Sequence, residues 1–338
     1  MKRRDLLKGV TAGLGALAAC NPLRSDEAPA GERRRPEGRK PRFIDIHVHT
    51  CKPRHPKVTR ANGTRYPSPQ ELIEMMDAAG IDMAVVQTTV SPECRYTVVS
   101  PEETIENCAL YPGRLIPFCN LDPRFVSNSP QANFRSLLEA YKEMGCKGVG
   151  EYVPNLYFDD PLNMNFFRQV EEAGLPLTFH IAPQIGGYYG CVDDVGLPRL
   201  ETVLKAFPKL IFLAHSQPFW AEISTDVIQD GKRVGYPKGK ITPGRVVELM
   251  RKYPNLHGDL SAGSGFNAIS RDPEFGYKFM EEFQDRLCWG TDIGNVPQKL
   301  PIVEYFRKLE AEKLISQSAY EKITWRNANR LLKLGIGA

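Results

Sequence analysis

From residue 43 onward the chain alternates short runs of strand formers with amphipathic stretches of helical period, eight times over. The strand-like runs cover residues 43–49, 83–88, 115–121, 147–153, 177–180, 210–215, 256–260 and 287–292. The helical stretches cover 69–79, 101–110, 131–144, 162–173, 197–207, 243–252, 273–283 and 301–309, and two more, 316–323 and 326–334, close the chain. Gly80, Gly145 and Gly174 stop three of the helices, and Ser100 with Glu103 three residues later opens another as a capping pair. Strict strand–helix alternation calls for parallel strands wrapped by helices. Eight such units predict an α/β fold of the (β/α)8 TIM-barrel type, with additional C-terminal helices. An open dinucleotide-binding sheet would carry a glycine-rich turn after its first strand. Here that strand ends in histidines.

Barrels of this kind keep their chemistry where strands end and loops begin. Reading the strand ends gives His47 and His49 on strand one, Glu151 on four, His180 on five, His215 on six and Asp292 on eight. Side chains two apart on a strand face the same way, so His47 and His49 project together. Taken alone, a His-x-His pair is more often two ordinary histidines on a half-buried strand. Four histidines and two carboxylates on one rim point instead to a divalent metal, for which imidazole and carboxylate are the usual ligands. The runs Leu177-Thr178-Phe179-His180, Ile211-Phe212-Leu213-Ala214-His215 and Trp289-Gly290-Thr291-Asp292 each break from apolar or small residues into a metal-competent side chain. His257 falls at the start of strand seven, the wrong end of the barrel, and reads as structural or surface. His55 lies in the loop after strand one.

The phrases Asp45-Ile46-His47-Val48-His49, Gly290-Thr291-Asp292 and Asn327-Ala328-Asn329-Arg330-Leu331-Leu332, with His180 and His215 between them, resemble the amidohydrolase superfamily of metal-dependent barrels. More narrowly they resemble the branch that includes aminocarboxymuconate-semialdehyde decarboxylase and related decarboxylases, lactonases and hydratases. The resemblance implies that His47, His49, His180 and Asp292 bind one divalent ion, most simply Zn²⁺. It implies that Asp292 accepts a proton from an activated water and that His215 polarises the substrate or acts as general acid–base. Glu151 has three readings: a carboxylate bridging two ions, a general acid–base, or a partner orienting a ligating imidazole.

Substrate contacts are less legible. The aromatic stretches Gly186-Gly187-Tyr188-Tyr189-Gly190 and Pro218-Phe219-Trp220 are candidates to wall a flat pocket, or equally to cover apolar rim surface. Ser261-Ala262-Gly263-Ser264-Gly265 follows strand seven, where barrels often bind anions, but reads more readily as a plain turn, and Arg233, Lys240 and Arg271 are candidates to hold a substrate carboxylate.

The N-terminus reads as an address rather than a fold. Lys2-Arg3-Arg4-Asp5-Leu6-Leu7-Lys8 resembles a twin-arginine signal, and Leu17-Ala18-Ala19-Cys20 resembles a lipobox in which Cys20 becomes the lipidated first residue. The expected organisation is a signal over 1–20, a Gly/Pro/Arg-rich tether over 21–42 and the barrel over 43–338. The other seven cysteines are dispersed, without a Cys-x-x-Cys pair, and predict neither a zinc ribbon nor a disulfide framework. A net charge of +4 is slight and gives no argument for nucleic acid, so no nucleic-acid partner is expected. The expected partners are a small-molecule substrate and, through the lipid alone, a membrane; an oligomer is compatible with the sequence. Three functions compete: hydrolysis of a C–O or C–N bond (lactone, ester or amide), non-oxidative decarboxylation of an aromatic or unsaturated acid, and ligand binding without catalysis. Export favours the hydrolase, because an exported enzyme meets scavenged molecules rather than cytosolic intermediates.

Overall fold

The computed structural model describes residues 42–54, 63–94, 97–226 and 233–337. The signal, Cys20, nearly all of the tether and His55 lie outside the described residues. Helix starts are set by short-range chemistry. Prolines occupy the first helical turn of α1 (Pro69–Ala79), α2 (Pro101–Ala109), α4 (Pro161–Ala173) and α5 (Pro198–Ala206), where a missing N–H costs nothing. Ser68 and Glu71 close a reciprocal capping box on α1, and Ser100 accepts from the Glu103 N–H on α2. Gly80 and Gly174 end α1 and α4 in the left-handed conformation.

Among the described residues the strands are β1 (Ile44–Val48), β2 (Met83–Val86), β3 (Leu115–Pro117), β4 (Val149–Tyr152), β5 (Leu177–Ala182), β6 (Cys191–Val192), β7 (Phe212–His215), β8 (Leu256–Asp259) and β9 (Leu287–Cys288). All pairings are parallel: β1-β2-β3 in one sheet, β4-β5-β7-β8-β9 in the other. Bridges Cys119↔Val149 and Val48↔Ile293 join the two sheets at both seams, closing the expected (β/α)8 barrel. The two-residue β6 pairs only with β5 and is not a stave. It lies in the loop after β5 and pins that loop down.

The remaining helices are α3 (Arg135–Glu143), α6 (Gln217–Ala221), α7 (Arg245–Lys252), α8 (Ala262–Ser270), α9 (Pro273–Glu282), α10 (Pro301–Ala311), α11 (Gln317–Glu321) and α12 (Asn327–Leu331). Two depart from expectation. The stretch read as a turn after strand seven is the start of α8. Its glycines are there for space: a Cβ on Gly265 would stand 2.4 Å from the Leu260 carbonyl carbon, and one on Gly263 would stand 3.0 Å from the Tyr236 ring. Residues 131–134, expected to be helical, are instead irregular, with only Gln131 in a turn. The N–H groups of Phe134 and Arg135 are satisfied by Gln169 Oε1 on α4, at 2.7 and 3.1 Å.

The main core lies between staves and helices. There Phe158, Phe167, Phe179, Phe212 and Phe219 meet edge to face, Phe158–Phe179 at 4.9 Å and 89° for example. Such pairs contribute about 0.5–1.5 kcal/mol each beyond simple burial. A smaller cluster, including Ile44, Ile46, Phe118 and Leu213, is joined by Trp325 and Leu332 of the C-terminal segment. Among the described residues no helix is long and apolar enough to cross a membrane.

Candidate metal centre

The structure brings together all six rim residues named from sequence, and adds a seventh. The two strands that supply the central donors both shift register where they do so: β1 between Asp45 and Val48, β4 between Val149 and Tyr152. A bulge of this kind re-aims a side chain that regular pleating would place elsewhere. Gly150 lets β4 take this path. Its φ is +151°, and a Cβ there would meet Gln87 Oε1 at 2.6 Å and the Thr178 Cβ at 2.8 Å. Asp292, just past β9, is itself left-handed at φ 55°, with its N–H donated to the His47 carbonyl at 2.8 Å.

His47 Nε2 and His49 Nε2 are 3.1 Å apart. Glu151 Oε2 lies 3.8 Å from the first and 3.6 Å from the second. Asp292 Oδ1 lies 3.7 and 3.4 Å from the same two nitrogens. Two ligands on one ion with bonds of about 2.0–2.1 Å stand about 3.3–3.4 Å apart in a tetrahedral set, close to the separations among His47, His49 and Asp292, with Glu151 beside them. His47, His49 and Asp292 form one close donor group, and His47, Glu151 and His215 a second.

The seventh residue is Asp259, at the end of β8. Its Oδ2 accepts from His47 Nδ1 at 2.7 Å and faces His215 Nδ1 at 3.3 Å, while its Oδ1 accepts from the Ser261 N–H at 2.9 Å. Ser261 Oγ also lies 3.0 Å from His215 Nδ1. A carboxylate can only accept, so His47 carries its proton on Nδ1 and offers one free nitrogen to the centre. Because both donor groups share His47, they describe a single centre. Reading strand seven as 256–260 hid Asp259 one residue before an apolar end. Its signal was a carboxylate inside a run otherwise fit for burial.

His180 belongs to neither close group. Its Nδ1 lies 2.8 Å from Glu151 Oε1, so it meets the other donors through that carboxylate, which departs from the expectation of a direct ligand. Asp45, fully buried, receives the N–H groups of His47 and Thr291 and the Thr291 hydroxyl, tying β1 to the segment that carries Asp292. Burial pushes the Asp45 carboxyl up to about 7, against those hydrogen bonds.

The charge balance suits a cation. Burial alone would raise the carboxyl groups of Glu151, Asp259 and Asp292, yet all three are held below their ordinary range. For Glu151 the opposing partners are His180, His47 and His215; for Asp259, His47 and His215; for Asp292, His49, His47 and His215. Burial would likewise lower His47, but Asp259, Asp292 and Glu151 raise it to about 10. Burial lowers His180, outweighing its carboxylate neighbour. Three carboxylates kept ionised around the His47 imidazole present a field and a donor set that fit a divalent ion.

The loops resolve differently from the sequence reading. Phe219 and Trp220 are buried, and Trp220 Nε1 donates to the Asp259 carbonyl at 2.9 Å, so this pair braces the centre from behind instead of walling a pocket. Tyr189 does reach the rim, packing on His180 with ring centroids 4.4 Å apart. Tyr66, not singled out from sequence, stacks on His49 at 4.9 Å and 7°. Arg233 lies 2.7 Å from buried Glu222 in an ion pair off the N–H axis, and Arg271 is buried with Asp226 at 3.6 Å; neither is presented to a substrate. Lys240 is exposed. His257 is buried, as the structural reading has it, and burial lowers its pKa to about 3.

Comparison with known families meets this geometry directly, because the amidohydrolase family profile matches residues 44–334. The chain belongs to the amidohydrolase family. It is therefore an enzyme of the metal-dependent amidohydrolase type. Solved structures agree in fold. An uncharacterised TIM-barrel protein from Bordetella bronchiseptica is 18% identical, with a TM-score of 0.58 over 86% of this chain and 98% of the other. 5-Carboxyvanillate decarboxylase from Novosphingobium aromaticivorans, solved with manganese, is 18% identical, with a TM-score of 0.55 over 86% and 96%. A probable 2-pyrone-4,6-dicarboxylic acid hydrolase from Acinetobacter baumannii is 16% identical, with a TM-score of 0.53 over 86% and 99%. Comparison with curated protein sequences finds no match.

Proposed function

We propose that this amidohydrolase is an exported, metal-dependent hydrolase that cleaves a C–O or C–N bond of a small lactone, ester or amide. The observation that carries the reading is the position of Asp292. Its Oδ1 stands within 3.7 Å of both His47 and His49 nitrogens, and its side chain keeps 29% exposure while those of His47 and Glu151 are buried. A carboxylate so placed touches the centre and still faces the mouth.

His47, His49 and Asp292, with Glu151 beside them, would hold one divalent ion, and Zn²⁺ suits such a mixed set of imidazoles and carboxylates. The ion supplies Lewis acidity and a water acidified toward neutral pH. Asp292 takes the proton of the attacking water as the new C–O bond forms, and delivers it to the departing oxygen or nitrogen as the scissile bond breaks. His215, its Nδ1 held by Asp259 and Ser261, turns Nε2 toward the substrate as a general acid–base. His180 holds Glu151 in place.

Purified protein should contain close to one divalent ion per chain. Chelation should abolish turnover of a lactone, ester and amide panel, and Zn²⁺ should restore it. Release of CO₂ from aromatic carboxylates with no hydrolysis selects the decarboxylase reading, which the decarboxylases among the structural neighbours also support. Stoichiometric ligand binding with no turnover of either kind selects a binding protein.

Export and anchoring through Cys20 complete the reading, on the strength of the twin-arginine stretch and the lipobox. Diacylation of one cysteine suffices for stable attachment, where a single chain is marginal. Cys20→Ser should release the protein from the membrane fraction or leave the precursor uncleaved. A fully cytosolic wild type excludes the anchor.

A further inference from the structure

Backbone conformation singles out one residue beside the centre. Among the described non-glycine residues, eight have a positive φ. Seven of them lie between 46° and 69°, where a side chain is tolerated at modest cost. The eighth is Ser216, at φ 123° and ψ 162°, a region that essentially only glycine enters because a Cβ crowds the backbone there. Ser216 directly follows His215 at the end of β7 and is buried, at 1% exposure. A side-chain-bearing residue keeps such a conformation only where its surroundings hold it.

Those surroundings are the frame of the centre itself. Ser216 Oγ accepts the Ile181 N–H at 3.2 Å and the Phe219 N–H at 3.3 Å. Ile181 follows His180, which pairs with His215 in the last register of the β5–β7 ladder, and the two imidazole rings stand 5.4 Å apart. Phe219 belongs to α6, whose Trp220 donates its indole N–H to the Asp259 carbonyl at 2.9 Å. Asp259 in turn faces His215 Nδ1 at 3.3 Å. The path from His215 through Ser216, α6, Trp220 and Asp259 therefore returns to His215. Ser216 is its corner. The backbone there sets the direction in which the chain leaves β7, and the hydroxyl ties that corner to the strand carrying His180.

Glycine would relieve the strain at this position but could not supply the hydroxyl. From the backbone outlier and the closed path together, we infer that Ser216 is a positioning residue: its constrained backbone and its buried hydroxyl fix the His215 imidazole against His180 and Asp259. The hydroxyl is spent on two backbone N–H groups, so Ser216 acts through the two histidines and not on the substrate.

Two substitutions separate the parts of the claim. Ser216→Ala removes the hydroxyl and keeps the Cβ; Ser216→Gly removes both. At an ordinary buried position glycine is less stable than alanine, because it loses more backbone freedom on folding. Here the order should reverse: calorimetry of the full-length protein should show Ser216→Gly melting about 2–4 °C above Ser216→Ala. Position is read by ring ¹H–¹³C NMR of histidine-labelled full-length protein, before and after Zn²⁺ is added, with signals assigned by single histidine substitutions. The His180 and His215 signals should be displaced in both variants, while that of His257, near the start of β8, stays in place. In Ser216→Gly kcat should fall about 10²-fold with KM within about threefold, the scale of a misplaced reacting group. That kinetic arm rests on the acid–base reading of His215; calorimetry and NMR do not. Displaced rings with an unchanged kcat uphold the positioning role and remove His215 from the chemistry. Ser216→Ala melting at or above Ser216→Gly, or His180 and His215 signals unmoved in both variants, overturns the inference.

Discussion

Replacing Asp292 with asparagine should reduce turnover by at least about 10³-fold, because one change removes both a ligand charge and a positioned base, and the base alone is worth 10²–10⁴. Asparagine keeps the size of the side chain and its amide oxygen, so the left-handed turn at 292 and the N–H bond to His47 should persist. The loss then reads chemistry, not folding. Two measurements separate the contributions. Metal content by mass spectrometry reports the ligand role, since an amide oxygen is a weaker donor than a carboxylate. The rate at saturating metal reports the proton role. Full metal occupancy with a rate near that of the wild type would mean that neither role belongs to Asp292, and the proposed mechanism would fail at its central residue.

Much of this centre was visible before the fold was known, and the reason is geometric. In a barrel of parallel strands every C-terminal end points to one rim, so a list of strand ends is already a list of neighbours. His47, His49, Glu151, His215 and Asp292 meet on that principle alone. What escaped depended on contacts distant in sequence. Asp259 acts through His47, 212 residues away, and nothing near it announces the pairing. Trp220 looked like a rim aromatic, yet its indole N–H is spent on the Asp259 carbonyl. The α8 helix was hidden because Gly263 and Gly265, poor helix formers locally, are there to admit Tyr236 and the Leu260 backbone. The start of α3 is likewise fixed by Gln169, 35 residues downstream. Local propensity sees none of these.

Asp259→Asn should weaken metal binding or catalysis by about 10–100-fold, the usual worth of an outer partner that orients a ligating imidazole. Asp259 Oδ2 holds the His47 Nδ1–H at 2.7 Å and faces His215 Nδ1 at 3.3 Å, so the two rings that present nitrogen to the centre are aimed by one atom. Asparagine can still accept one hydrogen bond and can keep the Ser261 N–H satisfied, but it carries no charge. It therefore no longer favours the tautomer that leaves Nε2 free on both rings. Asp259→Ala is the harsher control: it also strands the His47 Nδ1–H and the Ser261 N–H in a buried site, at about 1–3 kcal/mol for each unsatisfied group. That variant should lose thermal stability where the asparagine variant loses mainly metal affinity. A titration with Zn²⁺ followed by calorimetry, alongside kcat at saturating metal, reads the two effects separately. Because Asp259 has no direct contact with the reacting atoms, excess Zn²⁺ should recover part of the Asp259→Asn rate, which it should not do for Asp292→Asn. Unchanged affinity and unchanged kcat in Asp259→Asn would reduce Asp259 to a packing residue and leave the orientation of His47 and His215 to the bulge in β1 and to Ser261.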